Sequence, residues 1–165
     1  MLNNNFNYIN RLIAFGIFLL TFIVYFDTMA PTVSYWDCGE FIAVSHTLGV
    51  PHPPGSPFFL LLGRIFSMLP FNEDIAFRVN IISPLVSALA VMLLYLSIVK
   101  VVTHWRGKVN SLSDCLIVLG GGAAGALAFA FTDSHWFNAV EAEVYAFSTF
   151  FTAIVVWLIL SLIHI

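Results

Sequence analysis

Two carboxylates stand three positions apart, Asp37 and Glu40, inside the segment TVSYWDCGEFIAVSHTLGVPHPPGSP that runs from Thr32 to Pro57. On a helix that spacing puts both on one face with Phe41 and Val44, and two acids so placed suit a general base, a divalent-metal ligand, or both. The cofactor such a site could take is a divalent metal, with Glu40 as its ligand. A plainer account makes Ser34-x-x-Asp37 a capping-box-like helix start with Glu40 in water. Against it, the acids sit among Trp36, Phe41 and Ile42, and an unpaired acid beside hydrocarbon is costly. His52 follows in Pro51-His52-Pro53-Pro54-Gly55, where prolines restrict both neighbours. That run either holds an imidazole rigidly beside the acids or is simply a turn.

Other residue types could join this chemistry. Arg64 and Arg78 could grip a phosphate, and each reads equally as a side chain snorkelling toward lipid head groups. In TDSHWFNAVEAEVY, His135, Asn138 and Tyr145 fall near one stripe if the segment is helical, with Glu141 beside Tyr145. A helix start decorated with acids is the alternative there. The glycines from Gly120 to Gly125 are followed by no Gly-Lys-Ser/Thr, so they read as a small-residue face for close helix packing and not as a phosphate loop. Cys38 and Cys115 lack metal-type spacing and fall near opposite membrane faces, which leaves both as packing residues.

The frame that must position these groups is set by composition. The chain is 60% hydrophobic and 9% charged, with a mean hydropathy of +0.95, more apolar surface than one soluble core of this length can hide. The fold class expected is all-α: a polytopic membrane helix bundle of about four transmembrane helices, with short interfacial helices in the first outer loop. The first span runs from about Tyr8 to Met29, enough to cross a hydrocarbon core of ~30 Å. Its weakly basic start and the lack of a small-x-small site before Pro31 speak against a cleaved signal. A short helix follows from about Tyr35 to Leu48, capped by Thr32 or Ser34 and ended by Gly49 and Pro51. Ser56 and Pro57 open another that ends before Pro70; at ~20 Å it is too short to span and reads as interfacial or re-entrant. Asn72, Glu73 and Asp74 then signal the start of a second span, Val79 to Val99, bent at Pro84 and followed by a basic loop with Lys100, His104, Trp105, Arg106 and Lys108. Trp105 and Trp136 fit an aromatic belt. The third span runs from about Cys115 to Phe131 and the fourth from Val144 onward. Because the last apolar run stops at Ile165 with no cap or polar tail, residues 1–165 read as the N-terminal portion of one larger transmembrane domain.

Charges sort by side. Arg11, Lys100, Arg106 and Lys108 are four of the six basic residues and fall together, while eight of the nine acids fall opposite, Asp114 being the exception. The positive-inside rule therefore places the N-terminus in the cytoplasm and the polar loops outside. Both loops then face one compartment and could meet.

The series Trp36-Asp37-Cys38-Gly39-Glu40-Phe41, then Leu48-Gly49-Val50-Pro51-His52-Pro53-Pro54-Gly55-Ser56-Pro57, then Trp136-Phe137-Asn138-Ala139-Val140-Glu141-Ala142-Glu143-Val144-Tyr145 resembles the bacterial domain-of-unknown-function 2723 family. That family is similar to the transmembrane protein O-mannosyltransferases and belongs with the GT-C glycosyltransferases. The resemblance implies a GT-C fold, of which this chain would be the N-terminal part. It also implies a multi-pass enzyme of the cytoplasmic (inner) membrane that takes a sugar, mannose among the candidates, from a polyprenyl-phosphate donor. The acceptor would be an extracytoplasmic protein or glycan, with protein Ser/Thr as one form. A catalytic acid in the first outer loop maps onto Asp37, with Glu40 as the second acid. His52, Arg64, Arg78, His135, Asn138, Glu141, Glu143 and Tyr145 are the candidate substrate-binding residues. Relatives carry roughly twice as many spans or more and a soluble C-terminal region.

The chemistry required is a base for the attacking hydroxyl and positive charge for the departing phosphate. Asp37 can supply the first; Arg64, Arg78 or a metal on Glu40 can supply the second. A transporter or channel fragment is the competing class. It predicts ionisable groups at mid-membrane, whereas these cluster at one face. An assembly subunit is a third reading. The bilayer is a partner under all three, and no nucleic-acid partner is expected.

Overall fold

A computed structural model describes residues 2–53, 55–107, 109 and 111–163, with side chains from residue 6 onward. Pro54, Lys108 and Ile165, named above, lie outside the described residues. Among the described residues eight helices follow in order: α1 (Leu2–Asp27), α2 (Cys38–Thr47), α3 (Pro57–Met68), α4 (Ile75–Asn80), α5 (Ile82–Arg106), α6 (Leu112–Ala130), α7 (Asp133–Ala139) and α8 (Val144–Leu162). Among the described residues, four segments are long and apolar enough to cross a membrane: Phe6–Asp27, Ile75–Arg106, Leu112–Ala130 and Val144–Leu162. The chain is thus an all-helical polytopic membrane bundle.

The span Ile75–Arg106 is the central post, packed by α1, α6 and α8. Of its most apolar stretch 50% is buried inside the protein, against 11% for α8, so α8 leaves most of its surface open. The post is longer than the Val79–Val99 expected and is interrupted at Ile81, one turn before Pro84. The reason is local: Pro84 has no N–H to give to the carbonyl four residues back, at Asn80. The basic residues Lys100, His104 and Arg106 form the last turns of α5 instead of a loop, where positive charge is favoured by the helix dipole. α6 begins at Leu112, three residues before the expected Cys115, because Ser111 and Asp114 form a reciprocal capping box that the apolar pattern does not announce. Asp114 also takes a 2.6 Å ion pair from Arg106.

Of the small-residue run, Gly122 and Gly125 make the close approach: a Cβ on Gly122 would meet Val99 and Tyr95, and one on Gly125 would meet Ile98. Gly120 and Gly121 face open space. Cys38 and Cys115 are both free thiols.

A second apolar cluster lies at one end of the bundle, where Cys38, Phe41 and Ile42 of α2 meet Phe59 and Leu60 of α3, Ala76 and Val79 of α4, and Ala142, Ala146 and Phe147 beside and within α8. α2 and α3 cross at Gly63, where an added Cβ would press on Ser45 Cβ at 2.8 Å. This platform carries the polar loops.

Candidate functional site

The segment 28–57 returns to the bundle end through backbone staples. Asn80, fully buried on α4, donates from Nδ2 to the carbonyls of Ala30 and Thr32, each at 2.9 Å, and Cys38 Sγ lies 3.7 Å from its Oδ1. Nothing in the residue pattern marked Asn80, although a lone amide at the head of an apolar run is a signal that could have been used. The staple fixes the approach to Trp36, whose backbone is left-handed at φ +58°. A bulky residue there breaks the helical path. α2 therefore starts at Cys38 and not at Tyr35, and Asp37 itself takes the N-cap position, with no side-chain cap bond, in place of the expected Thr32 or Ser34. The capping-box account of Ser34 and Asp37 has no counterpart here, and the Asp37 carboxylate is left exposed.

Glu40 lies one turn on, and the turn after Pro51 brings His52 to it. His52 N–H donates to Glu40 Oε1 at 2.8 Å, and its ring Nδ1 sits 2.6 Å from Oε2. The other ring nitrogen, Nε2, is 3.9 Å from Asp37 Oδ2. Gly55 N–H closes the turn on the His52 carbonyl at 3.0 Å, with Gly55 at φ +77°, a conformation that suits glycine. Phe41 backs the imidazole at 5.9 Å and is itself held edge-on by Phe59. The hydrogen bond its ring gives to Glu40 holds His52 above its usual range, with the negative charges of Glu40 and Asp37 adding to it. The same ring bond, then the His52 backbone N–H, holds Glu40 below the usual carboxylate range. One ligand atom from each of Asp37, Glu40 and His52 lies within 4.8 Å of the others, a spacing that could admit a divalent ion. Such an ion would have to replace the Glu40–His52 bond.

The second polar loop docks on the first. Ala30 N–H donates to the Val140 carbonyl at 2.8 Å, Trp136 Nε1 to Thr28 Oγ1 at 3.1 Å, and Tyr25 Oη to the Ala130 carbonyl at 2.8 Å. Behind that seam Glu141 and Glu143 are buried, and Glu141 Oε1 has no hydrogen-bond partner. Burial raises the Glu143 pKa first, with the negative charges of Glu141 and Asp37 pushing the same way. Burial also raises that of the Cys38 thiol between the loops.

Not every candidate joins the cluster. Arg64 donates from Nη1 to the His46 carbonyl, and Arg78 from Nη1 to the Leu69 carbonyl at 3.1 Å. Arg64 thus ties α3 to the end of α2 and Arg78 ties α4 to the residue that follows α3, and neither forms an ion pair with Asp37 or Glu40 among the described residues. His135, Asn138 and Tyr145 come together elsewhere, lining a cavity of about 230 Å³. His135 is buried against Phe129, ring centroids 4.4 Å apart, and burial lowers its pKa despite a bond to the backbone of Ser87.

A family model described as the protein O-mannosyl-transferase TMEM260 N-terminal domain matches residues 37–164. The chain is similar to "Protein O-mannosyl-transferase tmem260" of Dictyostelium discoideum, 32% identical over 145 residues that make up 86% of this chain and 16% of that protein. It is also similar to "Protein O-mannosyl-transferase TMEM260" of Mus musculus, 29% identical over 141 residues, 84% of this chain and 18% of that one. The chain therefore spans less than a fifth of the length of these relatives. No solved structure matches it.

Proposed function

The chain belongs to the protein O-mannosyl-transferase TMEM260 N-terminal domain family, and we propose that it forms the catalytic-acid portion of a GT-C glycosyltransferase that moves mannose from a polyprenyl-phosphate donor to a protein hydroxyl. The observation that carries this reading is the Asp37–Glu40–His52 cluster, exposed at the end of a membrane bundle, within the region the family covers. In the proposed step the acceptor oxygen bonds to the sugar's anomeric carbon as the bond from that carbon to the phosphate oxygen breaks. Asp37 takes the acceptor's proton, and inversion results. Glu40 holds His52, and His52 in its charged form keeps positive potential beside the base and the departing phosphate. Arg64 and Arg78 each spend one donor on a backbone carbonyl, which leaves further guanidinium N–H groups for a phosphate. A divalent ion, if held by Asp37, Glu40 and His52, would supply additional positive charge at the same place.

Positive-inside sorting supports a cytoplasmic N-terminus and an extracytoplasmic site in the cytoplasmic membrane. A transporter reading draws less support, because the titratable cluster sits at the bundle end and not along a mid-membrane path. The test is transfer by the full-length protein in proteoliposomes, with synthetic polyprenyl-phosphate mannose and an acceptor domain bearing Ser and Thr. Inverted O-linked mannose on the acceptor is expected. Transfer from a nucleotide sugar alone, with the lipid-linked donor inert, would overturn the proposal.

A further inference from the structure

The cavity lined by His135, Asn138 and Tyr145 does not end where its polar walls end. A second, apolar cavity of about 360 Å³ shares Phe129 and Thr149 with it and descends between α5 and α8. Ala90, Leu94 and Ser97 on α5 face Thr149, Ala153 and Val156 on α8, so the groove follows about seven residues of each helix, or ~10 Å of depth. That is roughly a third of a hydrocarbon core. The two chambers divide sharply in chemistry. The deep one is walled mainly by hydrocarbon, whereas the chamber at the loop end carries the Ser134 hydroxyl, the Tyr145 phenol and the His135 imidazole, with the Asn138 amide, one of whose N–H groups goes to the Ser134 carbonyl, and the Thr132 oxygen, whose O–H goes to the Phe129 carbonyl.

We infer that this double cavity is a binding site for an uncharged, hydroxylated glycerolipid of the diacylglycerol type, its acyl chain in the α5–α8 groove and its head at the loop end. Three observations select that ligand. Among the described residues no Lys, Arg, Asp or Glu lines either chamber, so neither a phosphate head nor an ammonium head finds a counter-charge there. The head chamber presents several separate donors and acceptors, which suits a hydroxyl together with ester carbonyls better than a single alcohol. Buried Ser97 Oγ and His135 Nε2, on residues lining the deep groove and the head chamber, have no hydrogen-bond partner, a condition that costs free energy until one is supplied. This site is separate from the acid cluster and does not depend on the sugar-transfer reading.

The experiment offers the intact protein, in phosphatidylcholine nanodiscs, a diacylglycerol carrying a diazirine in one acyl chain, and maps the photoadducts by mass spectrometry. Saturable adducts on α5 and α8 near Ser97, Ala153 and Val156 are expected, competed by unlabelled diacylglycerol and not by phosphatidic acid. Ala153→Trp, which fills the groove, should abolish them. Asn138→Ala, which leaves the groove open, should weaken labelling about fivefold, the worth of one good hydrogen bond. Asp37→Asn should label like the unaltered protein whether or not it transfers sugar. Equal competition by phosphatidic acid, unsaturable or scattered adducts, or full labelling of both groove and head variants would each overturn the assignment.

Discussion

His52 and His135 are the same side chain at the same end of the bundle, and their surroundings drive them apart. On the first loop His52 is exposed, bonded to Glu40 and faced by Asp37, and is held toward its charged form. On the second loop His135 is buried against Phe129 with Tyr25 edge-on, and is held toward its neutral form. The acids divide likewise: Glu40 is pushed down by His52, while Glu143 is pushed up by burial. One loop keeps charge at the surface and the other keeps it out of the core, and this is why the proposed proton transfer is assigned to the first.

The comparison breaks most visibly if a fixed charge is moved from one setting to the other. His135→Lys should destabilise the protein by about 3 kcal/mol or more, because a cation is buried with no partner. His52→Lys should leave the melting temperature in detergent nearly unchanged. Equal thermal shifts for the two would show that the burial difference carries no energy.

Next in size is the support beneath the first loop. Gly63→Val should cost about 1–3 kcal/mol, since α2 and α3 have no room for a side chain at their crossing over Ser45. The same change at Gly120, which faces open space, should cost only the fraction of a kcal/mol seen at uncrowded sites. Thermal unfolding of the pair decides this.

The four spans and the start of α8 were legible because apolar length and helix-start residues are local properties. Pro57 at the head of α3 was legible for the same reason. Asp37, Glu40 and His52 could be named from residue type and proline rigidity. What the sequence hid is long-range. Asn80 clamps residues fifty positions away, the left-handed Trp36 delays α2 to Cys38, and the docking of Val140 on Ala30 buries Glu141 and Glu143. Arg64 and Arg78 could be named as phosphate ligands or snorkelling side chains from their place among the acids, but no local property shows that each gives one donor to a backbone carbonyl, of His46 and of Leu69.

Smaller effects follow from pH. His52, raised when folded, adds stability below its unfolded value of about 6.5 and loses it as pH rises through the folded value. Glu40, lowered when folded, adds stability above its unfolded value and loses it as pH falls through the folded one. Their bond is therefore strongest between those limits. His135 has the opposite sign from His52: its unfolded form takes a proton first, so acidification below about 6.5 weakens the fold. Melting curves from pH 7 to 5 should lose part of their acid slope in His135→Phe. In Glu40→Gln the His52 titration, followed by NMR, should move down toward the ordinary histidine range. An unmoved midpoint would separate Glu40 from His52.

The central claim is that proton transfer belongs to the exposed cluster, and Asp37→Asn tests it most directly. The amide keeps size and much of the hydrogen bonding but cannot accept a proton. In the full-length protein, with insertion and melting temperature verified and donor binding measured separately, transfer should fall about 100- to 10,000-fold, or roughly 3 to 5 kcal/mol of barrier, while donor affinity holds. Near-normal transfer by a folded Asp37→Asn protein would contradict the account.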